Sequence, residues 1–273
     1  LDRADSGYCV TDNAGGVWGP FDLILDASGR NSELMKYSET PPRIRPLKWG
    51  ALWTTLRWPE DPTFAANTLS QRYQKAHTMI GVLPLGAMPQ DSRSHLAFFW
   101  SLKVSEYDAW RRRGLKPWKT RVLDVWPETK VLLEQIGAED QLELAQYSHH
   151  TMGRPYGPGV VFIGDAAHAT SPQLGQGANM ALLDVYAFAN AMARYSGNLN
   201  AVARDYAARR RFHIRLFQAL SLFLTPFYQS DNRLLALFRD TLFDPGSRIP
   251  FVSKLVAGMI AGTLGNPFKP RDD

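Results

Sequence analysis

Cysteine is nearly absent from this chain of 273 residues: Cys9 stands alone. That excludes an internal disulfide and any multi-cysteine zinc site, and it makes a reducing compartment, the cytoplasm, the expected location. Apolar runs of about eighteen residues or more are also missing, so no membrane-spanning helix is expected. No Ser-His-Asp arrangement has motif context, and no paired histidines suggest a metal. Nucleic-acid motifs are lacking too, although the net charge is +5 and the pI near 9.3. The basic residues are dispersed except for Arg111-Arg112-Arg113 and Arg209-Arg210-Arg211, and both triplets read as solvated helix faces. What the chain does have is apolar mass: 45% hydrophobic residues with 8 Trp and 14 Phe. This is enough for one large domain or two modest ones with packed cores or a ligand cavity.

The pattern changes along the chain. Tyr8-Cys9-Val10, the turn residues Asp12 to Gly16, and Phe21 to Leu25 read as strand, turn and strand. From about Thr40 to Tyr147, prolines punctuate apolar runs such as Met79 to Leu83 and Leu96 to Trp100, which predicts a sheet-based module. Residues 105–113 and 120–136 carry helical spacing, with Pro127 breaking the second. Val160-Val161-Phe162-Ile163 is a fully apolar strand leading into Gly164-Asp165, then a loop and a helix from about Gly177 to Tyr195. Helices are expected over 199–224 and 231–242, separated by Pro226, with a last apolar stretch from Ile249 to Leu264.

The segment from Gly164 to Asp184 carries the chemistry. A carboxylate closing a buried strand needs hydrogen-bond donors, so Asp165 calls for helix-start amides or the hydroxyls of a polyol. Gly175 and Gly177 flank a point where backbone can approach a flat ligand, and the helix beginning there offers unpaired N–H groups to negative charge. This stretch resembles the Gly-Asp fingerprint of the FAD-dependent aromatic hydroxylases and monooxygenases, the para-hydroxybenzoate hydroxylase-like flavoproteins. The resemblance implies that Asp165 holds the ribityl chain of FAD, that Pro172 lies beside the ring, and that the amides of Ala178 and Asn179 face the flavin pyrimidine, with Gly164, Gly175, Gln176 and Gly177 shaping the cradle. His168 reads as a loop-structuring residue rather than a proton-transfer group, and no catalytic residue is assigned.

A second segment, Asp22 to Ser32, resembles the Asp-Gly fingerprint of the same family, with Gly29 and Arg30 at the cofactor. Ser28 stands where an aspartate is usual, Asp26 comes two residues earlier, and Met35 replaces a common basic residue; these departures bear on nicotinamide binding more than on flavin binding. The family also opens with a Gly-x-Gly-x-x-Gly turn for the pyrophosphate. No such turn is present, so the reading expects a truncated product, a fragment or one piece of a split gene, and weak FAD retention by this chain alone.

The implied fold is mixed α/β: an incomplete Rossmann-like FAD-binding domain (1–39, resumed at 151–200), a substrate-binding sheet domain (40–150) and a C-terminal helical region (201–273). The implied function is NAD(P)H-driven, FAD-dependent hydroxylation of an aromatic or similar apolar substrate by oxygen, through a flavin C4a-hydroperoxide. Trp49, Trp53, Phe98, Phe99 and Trp100 are expected to roof the substrate. Because the fingerprints specify cofactor rather than reaction, a reductase, dehydrogenase or halogenase on the same fold stays open, as does an inactive remnant. Peripheral membrane contact through the apolar C-terminal helices is a further expectation.

Overall fold

A computed structural model describes residues 1–60, 63–243 and 249–265. The chain divides into two compact units, one of residues 1–46, 148–223 and 245–273, the other of residues 47–147 and 224–244. Helices expected as a separate C-terminal region are thus distributed between the two.

The first unit begins with an antiparallel meander, β1 (Asp2–Ala4), β2 (Gly7–Thr11) and β3 (Val17–Phe21). Its central feature is a small sheet in the order β10 (Tyr156–Gly157), β11 (Val160–Phe162), β4 (Ile24–Asp26). β11 and β4 run parallel, with Val160 opposite Ile24 and Phe162 opposite Asp26. All three residues of β11 are fully buried, which accounts for its unbroken apolar sequence. Against this sheet pack α5 (Gly177–Arg194) and α6 (Leu199–Tyr228). The buried stripe of α5, Met180, Leu183, Asp184, Ala187 and Ala191, follows helical spacing but contains one carboxylate. α6 buries Val202, Tyr206, Arg210, His213 and Phe217 in the same manner.

Pro226 does not separate two helices as expected; it sits inside α6, near its end. A proline there removes only its own N–H, and the ladder resumes with Gln229 N–H donating to the Thr225 carbonyl at 2.8 Å. The next helix is α7 (Arg233–Phe238), capped by the Asn232 side chain, and the last among the described residues is α8 (Pro250–Ile260). Among the described residues no helix is long and apolar enough to cross a membrane.

The second unit is built on a five-stranded sheet in the order β6 (Ser70–Gln74), β7 (Thr78–Met88), β8 (Asp91–Lys103), β5 (Arg45–Arg57), β9 (Glu143–His149). One face of it carries Leu52, Leu56, Ile80, Val82, Leu96, Phe98 and Trp100 into a core with α1 (Tyr107–Arg113), α2 (Leu115–Val125) and α3 (Lys130–Leu133). Alternation along the strands sends Trp53 and its cross-strand neighbour Phe99 to the opposite face. The five aromatics expected as a substrate roof are therefore split: Phe98 and Trp100 are core residues packed edge-on against Trp118, while Trp53 stays 39% exposed. Phe99 lies across Gly81 of β7, where a Cβ would stand 1.9 Å from the ring.

Candidate cofactor site

The parallel pairing of β4 and β11 brings the two fingerprint segments to the same end of adjacent strands, where ligands of open α/β sheets bind. After β4, the buried Asp26 turns back on its own loop. It accepts hydrogen bonds from the Ser28 amide at 2.8 Å, the Ser28 hydroxyl at 2.6 Å and the Ser32 hydroxyl. The serine in the usual aspartate position is thus one arm of a bracket closed by Asp26, and the bracket presents Gly29 and Arg30, both half-buried, at the loop tip. Ser32 also caps the following turn by accepting from the Leu34 amide.

After β11 the chain reaches Gly164 at φ 58°, a left-handed conformation, with space that a Cβ would narrow to 3.0 Å from Ala181. A one-turn helix, α4 (Asp165–His168), follows, with the His168 amide donating to the Gly164 carbonyl. Asp165 is exposed rather than buried, and its carboxylate has no hydrogen bond or ion pair among the described residues. The expectation that this carboxylate closes a buried strand is corrected: it is exposed, and of the two expected sources of donors, helix-start amides and a polyol, the first does not serve it among the described residues. Pro172, Gly175 and Ala178 are also exposed, Gly177 and Asn179 half-buried. α5 starts at Gly177 with no capping side chain, so its first-turn amides remain available. Gln176 differs: its side chain is buried and donates to the Ile260 carbonyl at 2.5 Å, tying the end of α8 to the loop.

Beneath this surface is a charged network that the sequence reading did not find. Asp184 is fully buried, and three groups converge on it. The Gly164 amide donates at 2.9 Å, His168 Nε2 at 2.5 Å and Arg210 Nε at 2.7 Å. Arg210 donates in turn to His213 Nδ1 at 3.1 Å, which leaves His213 Nε2–H to donate to the Gly262 carbonyl at 3.0 Å. Burial alone would raise the Asp184 carboxyl, but His168 and Arg210 outweigh it and hold the group below the usual carboxylate range. Burial, reinforced by Arg210, pushes His213 down to about 4. Tyr206, also buried, donates to the Phe162 carbonyl at 2.9 Å. Gln218 gathers the loop from the other side, donating to the Ala169 carbonyl at 2.9 Å while its oxygen meets His149.

His168 is thus held between the Gly164 carbonyl and the Asp184 carboxylate, within the loop carrying Asp165. Arg210, expected on a solvated face, is among the most buried side chains, because a countercharge awaits it in the core; Arg209 pairs with Asp205 at 2.8 Å. The signal that could have located this network was present: an aspartate at helical spacing inside the apolar stripe of α5, and an arginine likewise placed in α6.

A family model described as FAD binding domain matches residues 129–214, a span that contains the Gly-Asp loop and the Asp184–Arg210 network. Among solved structures, HpxO of Klebsiella pneumoniae, an R204Q variant complexed with FAD, superposes with a TM-score of 0.74 at 16% identity over 98% of this chain and 67% of that one. The chain shares the fold of that FAD-complexed protein. PqsL of Pseudomonas aeruginosa, complexed with 2-aminobenzoylacetate, is similar at a TM-score of 0.64 and 20% identity, covering 85% of this chain and 62% of that one. Violacein synthase of Chromobacterium violaceum is 36% identical over 66 residues, 24% of this chain and 15% of that protein. The chain therefore spans a small part of its curated relative and about two thirds of the solved neighbours.

Proposed function

We propose that this chain forms the greater part of an FAD-dependent oxidoreductase of the monooxygenase type, using NAD(P)H and oxygen to hydroxylate a small aromatic or similar apolar substrate. The observation that carries the reading is the unpartnered Asp165 carboxylate beside the uncapped start of α5, at the shared end of two parallel strands. The donor set fits the flavin half of FAD. Asp165 would accept from the ribityl hydroxyls, the amides of Ala178 and Asn179 would meet the carbonyl edge of the ring, and Pro172 and Gly175 would border it. Gly29 and Arg30 would contact the cofactor from the β4 loop. Chemistry supplied by the bound flavin would be two-electron reduction by NAD(P)H and activation of oxygen. The protein's own part is to hold the loop rigid, through Asp184, and to keep water from the reacting centre.

Uric acid in a second HpxO structure and 2-aminobenzoylacetate in PqsL support a small-molecule substrate. The test is an ¹⁸O₂ experiment with FAD, NAD(P)H and a panel of phenols and heteroaromatics. One ¹⁸O atom in the product supports the reading; NAD(P)H oxidation without incorporation points to a reductase or dehydrogenase instead. The exposed apolar side chains Ile249, Phe251, Leu255 and Ile260 on and beside α8 support peripheral contact with a membrane surface. Co-sedimentation with anionic vesicles checks this, and recovery wholly in the supernatant sinks it.

A further inference from the structure

The sheet unit holds a cavity of about 270 Å³ where the ends of β7 and β8 meet α1 and α2. All of its lining residues belong to this unit, and none of the candidate flavin residues is among them. Its size lies just below the range of small-molecule sites, roughly 300–1,000 Å³, which suits a ligand of one or two rings.

Two features of the wall specify that ligand. Trp100, Trp110 and Trp118 line it with rings set edge to face, the centroids of Trp110 and Trp118 being 6.2 Å apart. Trp110 and Trp118 are buried, and the indole N–H of each has no acceptor among the described residues. These two N–H groups are enclosed by the protein, so it is the ring surfaces, not the N–H groups, that the wall offers a ligand. The second feature is charge. Arg113 and Arg121 stand at the cavity with no ion pair among the described residues, Arg121 at 5.6 Å over the Trp100 ring, against one carboxylate, Glu106. Arg113 thereby acquires a use that a solvated helix face does not supply.

We propose that this cavity is a binding site for a small aromatic carboxylate, its ring against the tryptophans and its oxygens accepting from the two guanidinium groups. The carboxylate offsets the excess positive charge, and the aromatic walls favour a flat ring over an aliphatic acid. The assignment does not depend on the flavin reading, since it rests on other residues.

The test uses 2-naphthoate as probe and the neutral 2-naphthamide as its control, with binding followed by calorimetry and by tryptophan quenching. Saturable 2-naphthoate binding is expected, weaker by about tenfold or more for the amide and for the Arg113→Gln/Arg121→Gln double variant, the loss of charge-assisted hydrogen bonds. Both arginines are exposed, so the variant keeps its fold, and unchanged far-ultraviolet circular dichroism checks that. Glu106→Gln, which removes the one carboxylate of the wall, strengthens binding. Absence of saturable binding overturns the proposal, as does equal affinity for acid and amide or undiminished binding in the double variant. Displacement of 2-naphthoate by FAD, or its loss in Asp165→Ala, also overturns it by moving the probe to the flavin loops.

Discussion

The two units solve the burial problem in opposite ways. At the centre of the sheet unit, Leu52, Ile80, Leu96 and Phe98 pack with tryptophans, and the buried arginine of that unit, Arg239, pairs instead with Asp240 and the Lys75 and Phe227 carbonyls. At the centre of the loop unit, an aspartate, an arginine and two histidines are buried in contact with one another. An apolar centre asks for volume and shape and tolerates exchange among residues of similar size. A buried charge network asks for every partner at once, and in return it can fix a loop to within a hydrogen bond. The difference follows from what each centre supports: in the loop unit the network holds the Gly-Asp loop, through the Gly164 amide and His168, whereas the apolar centre holds a sheet.

The comparison is broken most directly by removing one charge. Asp184→Asn keeps shape but strips the countercharge from Arg210, and a loss of about 3–5 kcal/mol in stability is expected. Leu52→Met, at an equally buried position of the sheet unit, should cost less than about 1.5 kcal/mol. Urea unfolding of both variants measures the contrast, and equal losses would remove it.

Acid sharpens the comparison next. Folding holds His213 in its neutral form, with a pKa of about 4 against 6.5 for the free group. Below 6.5 the unfolded chain takes up the proton first, so this contribution is present above that pH and declines as the pH falls towards 4. The depressed Asp184 carboxyl adds a loss at still lower pH, as the pH falls through its folded value. The loop unit should therefore lose order before the sheet unit. The tryptophans separate the two signals, because all but Trp18 lie in the sheet unit. Between pH 6.5 and 4, helix content should fall while tryptophan emission holds; simultaneous loss of both would contradict the distinction.

The smallest effect on stability is expected at Asp165. It is exposed and unpartnered, so Asp165→Ala should change stability by no more than about 0.5 kcal/mol while impairing flavin binding. Thermal unfolding of the variant without cofactor checks the first half of this statement.

How much of this was legible in the sequence depended on range. The strand–loop–helix around Gly164 could be read because strand, glycines and helix start are neighbours in the chain, and the fingerprint is a local pattern. The mixed α/β fold followed from the same segment with the apolar strands of the sheet module. Side-chain partners were a different matter. Arg210 meets Asp184 across two helices, and a basic triplet read by itself looks solvated. Asp26 was seen as an aspartate displaced from its usual place, whereas its work is to bind Ser28 and Ser32. The sheet aromatics could be assigned to strands but not divided between faces, since adjacent residues such as Phe98 and Phe99 part only when strand register is known. Pro226 misled because a proline in the last turn of a helix costs little, and sequence alone did not show where that turn lay.

In the proposed function, the residues at the shared ends of β4 and β11 hold the flavin half of FAD. Titration of flavin fluorescence with the chain and with Asp165→Ala tests it most directly. Saturable quenching by the parent chain, weakened about tenfold or more by the substitution, is the predicted result. Equal affinity in the two proteins, or no saturable binding by either, would contradict it.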